Sequence, residues 1–398
     1  MPFGFLAFWR ILVFCLISFW LFFLFFLSLH NYLCLCKKYT DYHIIKLPIT
    51  MNSYVFPGDI DERIMEIGSK PFIYMRTDEF SKINLESEQM LLDLIHCKDG
   101  RTIVYTGSGT GAMSAVVENY VTTKKRAFVI DGGSFGHRWY SLCQYYKVDA
   151  VDYIVPFAQD IDYDDMEESL VESGADVLLC QHHETSTGQL FNLNAISGIC
   201  KRHGVSLVVD VISSFLAEPL NMDELGIDIC LTSTQKGLNI PPGLSILFFS
   251  AHLKDYTYNH LGYYWDFNDN LDNLRRGQTP FSPATILYLQ LHARLLQLKD
   301  EGGEDKNIAD IHHRAKVFRA YCKKYGWDIP AQCPSAAITG FQTCDTAERR
   351  IFKGLIEAYD TYIMPCGKPG FYRVSHMGLQ TDEELRLLAE RIHEFEKQ

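Results

Sequence analysis

Three features of the chain could do chemistry together: Lys236 in "STQKGLNIPPG" (233–243), Asp210 in "SLVVDVISSF" (206–215), and the glycine-rich turn of "YTGSGTGAMSAVV" (105–117). A lysine amine attacks carbon only after shedding its proton. Burial and nearby cations favour that by lowering its pKa from about 10.4. An aspartate at the C-terminal end of an apolar strand lies where open α/β sheets bind ligands. A glycine-rich turn between strand and helix presents backbone N–H groups to phosphate. Each also has a bland reading: lysines solvate, aspartates cap helices, and glycines make turns. Taken together they meet the needs of pyridoxal 5′-phosphate. A helix N-terminus takes the phosphate, a carboxylate keeps the pyridine nitrogen protonated, and a lysine forms the Schiff base. The same turn fits G-x-G-x-x-A through Gly107, Gly109 and Ala112, with Asp131 ending the next strand. A nicotinamide dinucleotide enzyme is therefore a rival. That rival leaves Asp210 and Lys236 without a task.

The elements that must position these groups are legible as alternating runs. Apolar, β-rich segments occur at 101–107, 127–131, 151–157, 176–183, 206–211, 228–234 and 244–250, with helix-like stretches between most of them. Near-continuous apolar strands separated by helices imply an α/β fold with a mainly parallel seven-stranded sheet covered on both faces. The last strand follows a Pro-Pro-Gly turn and is expected to be antiparallel. "SPATILYLQLHARLLQLKDEGG" (282–303) reads as a long amphipathic helix that ends in glycine. The expected organisation is a leader at 1–50, a large domain at 51–300 with an N-terminal arm, and a smaller C-terminal α+β domain at 301–398.

Composition narrows the class. A formal charge of −12 and a pI near 5.6 argue against nucleic acid as the main partner. The twelve cysteines form no CxxC pair and show no zinc spacing. They read as reduced core thiols of a cytoplasmic domain. "HHE" (182–184) has the wrong spacing for two ligands on one helix face, so no metal site is expected. Residues 11–29 carry no charge over a length that can cross a bilayer, and the flanking basic residues place the C-terminal side in the cytoplasm. Met51 also reads as a natural start, which leaves two readings of residues 1–50: a single-helix membrane anchor or an extension upstream of the true start.

Seven motifs in order, "GSGTGAM", "GGSFGHRW", "HHETSTGQL", "VVDVISS", "STQKGLNIPPG", "GQTPFSP" and "FYRVSHMG", resemble the class V, fold type I pyridoxal-phosphate aminotransferases. The subgroup holding 2-aminoethylphosphonate–pyruvate, alanine–glyoxylate and serine–pyruvate transaminases is the most similar, over roughly residues 54–398. The resemblance implies a fold type I large domain plus the smaller C-terminal one, and a role for each matching residue. Lys236 would be the Schiff-base lysine and proton shuttle, and Asp210 the partner of the pyridine nitrogen. Ser108, Gly109, Thr110 and Gln235 would hold the phosphate. Thr185 would bond the ring hydroxyl, and Phe135 would stack on the ring. Arg373 would grip the substrate carboxylate as a bidentate fork. Thr279 would reach a neighbouring subunit's phosphate, which makes a homodimer with shared sites the expected assembly. His137 and Arg138 are left without an assignment. "VFPGDIDERI" departs from the family's Thr-Pro-Gly-Pro segment that helps line the substrate pocket.

The expectation is transfer of an amino group from a small amine or amino acid, 2-aminoethylphosphonate favoured, to a small 2-oxo acid such as pyruvate. An alanine or serine–glyoxylate transaminase follows. A desulfurase or lyase on the same cofactor ranks lower, since such enzymes place histidine over the ring where this chain has Phe135. A non-enzymatic scaffold leaves a complete cofactor constellation unused.

Overall fold

A computed structural model describes residues 52–253, 256–259, 261–345 and 349–397. Seven strands form one sheet: β1 (Arg101–Thr106), β2 (Ala127–Asp131), β3 (Ala150–Ile154), β4 (Val177–Gln181), β5 (Ser206–Asp210), β6 (Ile229–Ser233) and β7 (Leu244–Phe249). Their spatial order is β1-β7-β6-β5-β4-β2-β3. All neighbours are parallel except β7, which runs antiparallel to both β1 and β6. The strand after the Pro-Pro-Gly turn is thus antiparallel as expected, and it lies inside the sheet. The pleat explains the unbroken apolar runs. Leu178 and Cys180 of β4 enter one core, while Val177 and Leu179 enter the other.

Local signals start and stop the covering helices. Helix α1 (Gly109–Asn119) begins at Ser108, whose side chain accepts from the Gly111 N–H. Helix α2 (Gly136–Tyr145) follows the turn after β2. The helices Tyr163–Ser173 and Leu193–His203 both end at glycines in the left-handed region, Gly174 and Gly204.

The expected long helix spans Thr285–Asp300, and a longer one, Gly303–Tyr325, follows at once. Beyond it lies a three-stranded antiparallel sheet of Ile338–Gln342, Phe371–Ser375 and Met364–Pro365. It packs around Phe318, Trp327, Phe341 and Tyr372 and under the terminal helix Asp382–Glu396. The described residues from 52 onward form one compact unit. The N-terminal arm is tied to the far end of the chain, since Asn52–Ser53 pair in parallel with Thr361–Tyr362.

The span at 11–29 falls outside the described residues. Among the described residues no helix is long and apolar enough to cross a membrane. The nine described cysteines are all free, and six are buried.

Candidate active site

Sheet register gathers the candidate residues. Asp210 closes β5, opposite Gln181 of β4 and Leu231 of β6. Lys236 lies three residues past the end of β6. Because β7 lies between β1 and β6, its first residue, Leu244, faces Thr106 of β1. Its carbonyl also accepts from the Thr234 N–H. That arrangement brings the 107–111 turn beside the lysine loop. Contact distances agree: a Cβ built on Gly109 would lie 2.3 Å from Ile212 Cδ1 and 3.6 Å from Ser233 Oγ. The strand-end turns after β1, β5 and β6 therefore share one crevice.

The two ionisable groups at its centre are displaced in opposite directions. Lys236 is only 8% exposed and Asp210 only 5%. Burial lowers the Lys236 amine to about 7; Asp210 pulls it back up and Arg373 pushes it further down. Burial raises Asp210 to about 7, opposed by the Ile212 N–H it accepts at 2.7 Å and by the charge of Lys236. Lys236 Nζ stands 3.2 Å from the centroid of the Phe56 ring, which comes from "VFPGDIDERI". A cation over an aromatic face is favourable, and the ring excludes water from the amine.

Around this pair the other candidates divide. Thr185 is buried, and its hydroxyl meets Ser213 Oγ at 2.7 Å. Its carbonyl accepts from Arg373 Nη1 at 2.9 Å, and Pro365 O takes Arg373 Nη2 at 3.2 Å. Burial pushes the Arg373 pKa down, and its Nε is buried without a partner. Gln235 adjoins the lysine and is half-buried. Phe135 precedes α2 in a turn held by Glu184, a buried carboxylate that accepts from the N–H groups of Phe135, Gly136 and Ser186. Thr279 is set apart. It lies with Tyr264, Pro280 and Phe281 around a small cavity beside β1, and its hydroxyl donates to Phe281 O at 2.7 Å.

Several contributors were not singled out from sequence. Phe56, Glu184, Ile212 and Ser213 lie within the motifs of the sequence but carry no assigned role there. Trp265 covers the glycine turn, 3.1 Å from where Cβ atoms on Gly107 and Gly111 would stand. His183 is buried, with Nδ1 3.4 Å from Ser213 O and Nε2 unpartnered, and burial lowers it to about 3.

The dinucleotide reading fails on topology. A Rossmann unit needs the strands flanking the first helix side by side and parallel. Here β1 and β2 are separated by four strands, and the direct neighbour of β1 is antiparallel. Asp131 is also engaged locally, accepting from the Gly133 N–H and meeting His137 Nδ1 at 2.8 Å.

The model of the family "Aminotransferase class-V" matches residues 72–263. That match spans just under half of the chain, and the relatives below carry the likeness to the class V aminotransferases over most of its length. Among curated relatives, it is 29% identical to a protein of Anabaena cylindrica named soluble hydrogenase 42 kDa subunit, over 83% of this chain and 88% of that one. It is 26% identical to the L-aspartate–glyoxylate aminotransferase of Paracoccus denitrificans, over 82% and 86% respectively. It is 30% identical to the 2-aminoethylphosphonate–pyruvate transaminase of Pseudomonas fluorescens, over 57% and 62%. Among solved structures, an alanine–glyoxylate aminotransferase of Nostoc superposes with a TM-score of 0.81 at 19% identity, covering 88% of this chain and 96% of that one. This likeness shows the fold, fold type I. The aminotransferase is a pyridoxal-phosphate enzyme that acts on amine and oxo-acid substrates.

The crevice fits that cofactor on its own terms. It holds a buried amine with a lowered pKa and a buried acid that a ring cation would ionise. It also has a capped helix N-terminus with no room for a Cβ at Gly109, and a buried hydroxyl without a partner at Ser233, 3.6 Å from where that Cβ would stand.

Proposed function

We propose that the enzyme moves the amino group of a small primary amine or amino acid, 2-aminoethylphosphonate favoured, onto a small 2-oxo acid such as pyruvate. The observation that carries the reading is the opposite displacement of Lys236 and Asp210 in one dry crevice that also feels the charge of Arg373. When bound, pyridoxal phosphate supplies an aldehyde that condenses with amines and a ring that accepts the electron pair left at the substrate α-carbon. Lys236 would hold the cofactor through Nζ and would serve as the base that takes and returns the substrate α-proton. A pKa near 7 leaves it able to do both at neutral pH. Asp210 keeps the ring nitrogen protonated. Thr185 bonds the ring hydroxyl, Phe135 covers the ring, and Ser108, Gly109, Thr110 and Gln235 take the phosphate.

Arg373 grips the oxo-acid carboxylate. Two carbonyls hold its terminal nitrogens, and its Nε–H is left to be satisfied by a ligand. Phe56 closes over the amine and limits the donor to a small one. The relative named for 2-aminoethylphosphonate supports that donor, and the relative named for L-aspartate and glyoxylate supports an oxo-acid acceptor of this size.

Homodimer formation belongs to the same proposal. The face around Thr279 exposes Tyr263 and Leu261, with Phe72 and Tyr74 also exposed on the N-terminal arm; Arg76 of that arm donates to Thr279 O. Such apolar exposure suits a second copy. A division into a large domain at 51–300 and a small one at 301–398 is part of the proposal; the break between the helices ending at Asp300 and starting at Gly303 supports that boundary within the one compact unit.

The test is a panel of amines incubated with pyruvate, reading alanine formed. 2-Aminoethylphosphonate should give the highest kcat/KM. Alanine formation from other donors alone would discard the favoured donor. A wild type that takes up no pyridoxal phosphate and shows no yellow band would end the whole reading.

A further inference from the structure

The phosphate cradle proposed above contains no charge of its own: Ser108, Gly109, Thr110 and Gln235 are all neutral. A phosphate monoester carries close to two negative charges at neutral pH. The N-terminus of α1 offsets roughly half a unit of that. Lys236 is committed under Phe56, and Arg373 is held by the carbonyls of Thr185 and Pro365. Arg138, in the first turn of α2, is differently placed. Its Nη1 donates to Thr110 Oγ1 at 3.0 Å, and its guanidinium carbon stands 4.8 Å from the centroid of the Phe135 ring. Its positive charge reaches the crevice, where it favours the ionised form of Asp210. Among the described residues no carboxylate pairs with Arg138, so most of its five donors are unspent.

Hydrogen counting at Thr110 decides what this contact does. Arginine has donors only, so the threonine oxygen must be the acceptor. The hydroxyl's single hydrogen is then free to donate elsewhere, and the guanidinium's charge makes it a better donor.

We propose that Arg138 is the cation of the cofactor phosphate. It acts through the Thr110 hydroxyl, which it turns into a donor toward the phosphate, and it fixes the plane of Phe135 from the same guanidinium. Arg138 is thus a positioning residue that couples the two ends of the cofactor. The inference rests on the cofactor reading above.

The experiment is phosphorus NMR of the holoenzyme, with the cofactor dissociation constant measured alongside. In wild type the phosphate resonance should not move with pH between about 5.5 and 8, because the site holds the dianion across the range where a free monoester titrates. Arg138→Gln should make the resonance titrate in that range and weaken cofactor binding about tenfold or more. Arg138→Lys, which keeps charge but loses the planar fork, should fall between. Thr110→Val should weaken binding, and Arg138→Gln added to it should cost much less than it does alone. A resonance that stays fixed in Arg138→Gln, with only the KM of the amino donor raised, would overturn the inference and give the arginine to the substrate instead. Unchanged spectra and binding with a lower Tm would overturn it in favour of a structural brace. A wild type without bound cofactor would overturn the broader reading as well, whereas an intact wild type with an indifferent Arg138→Gln overturns this inference alone.

Discussion

The crevice and the terminal helix Asp382–Glu396 place acids and bases close together and obtain opposite results. On the helix, Arg386 meets Glu383 three residues before it and Glu390 four after it, each with N–O at 2.6 Å, on the solvent side. Hydrogen bonds there lower Glu383 and raise Arg386, so both charges are favoured. In the crevice, burial raises Asp210 and lowers Lys236, so both charges are disfavoured even though the two groups attract. Removing charges from water costs more than one unsatisfied attraction returns. Solvated pairs of this kind contribute little to stability. The crevice pair costs stability and yields groups that exchange protons near neutral pH.

The comparison can be broken in several places. The largest effect is expected for Lys236→Ala: loss of the yellow band and a fall in transamination of about 10³-fold or more, read as kcat/KM. Next is Lys236→Met in the cofactor-free protein. The lysine's folded-state pKa lies below its unfolded one, so the unfolded chain holds the extra proton between about 7 and 10.5. The native lysine is therefore destabilising below pH 7, and that cost fades as pH rises through the window. Lys236→Met should raise stability by about 5 kcal/mol at pH 6 and by little near pH 11, as measured by urea unfolding. No pH dependence of the gain would show that the amine is not desolvated.

Asp210→Asn should lower kcat by about 10²-fold. In the cofactor-free protein it should also stabilise, with the opposite pH dependence. The native acid holds its proton between 3.8 and about 7, so its cost grows as pH rises through that interval and persists above it.

Gly237→Ala tests the backbone of the crevice. The added Cβ would stand 2.0 Å from Phe215 O, a backbone atom that cannot swing aside. A loss of about 1–3 kcal/mol is expected in thermal unfolding, with cofactor binding weakened. The smallest effect belongs to Arg386→Ala on the helix, where Tm and activity should both stay within measurement error. A large fall there would deny the contrast from its other side.

The parts legible in advance were those governed by local pattern. The β-branched and apolar runs marked all seven strands, and the long helix that stops before the Gly302–Gly303 pair was legible within 282–303. Lys236 and Asp210 could be picked out because each stands just past a strand end, and a sheet of known direction delivers such positions to one edge. Phe56 over Lys236 and Arg138 on Thr110 could not. Their partners are 180 and 28 residues away, and no spacing rule links a proline-containing arm to a lysine loop.

The sequence alone determined the α/β alternation, the direction of the last strand and the candidate lysine and acid, because period, turn chemistry and residue type act over a few neighbours. Tertiary structure alone decided that β7 inserts between β1 and β6, which separates β1 from β2 and removes the dinucleotide reading. It also decided that Lys236 and Asp210 are dry enough to meet near the same pKa. Strand order and desolvation are sums over contacts from the whole chain, and no short window of residues carries them.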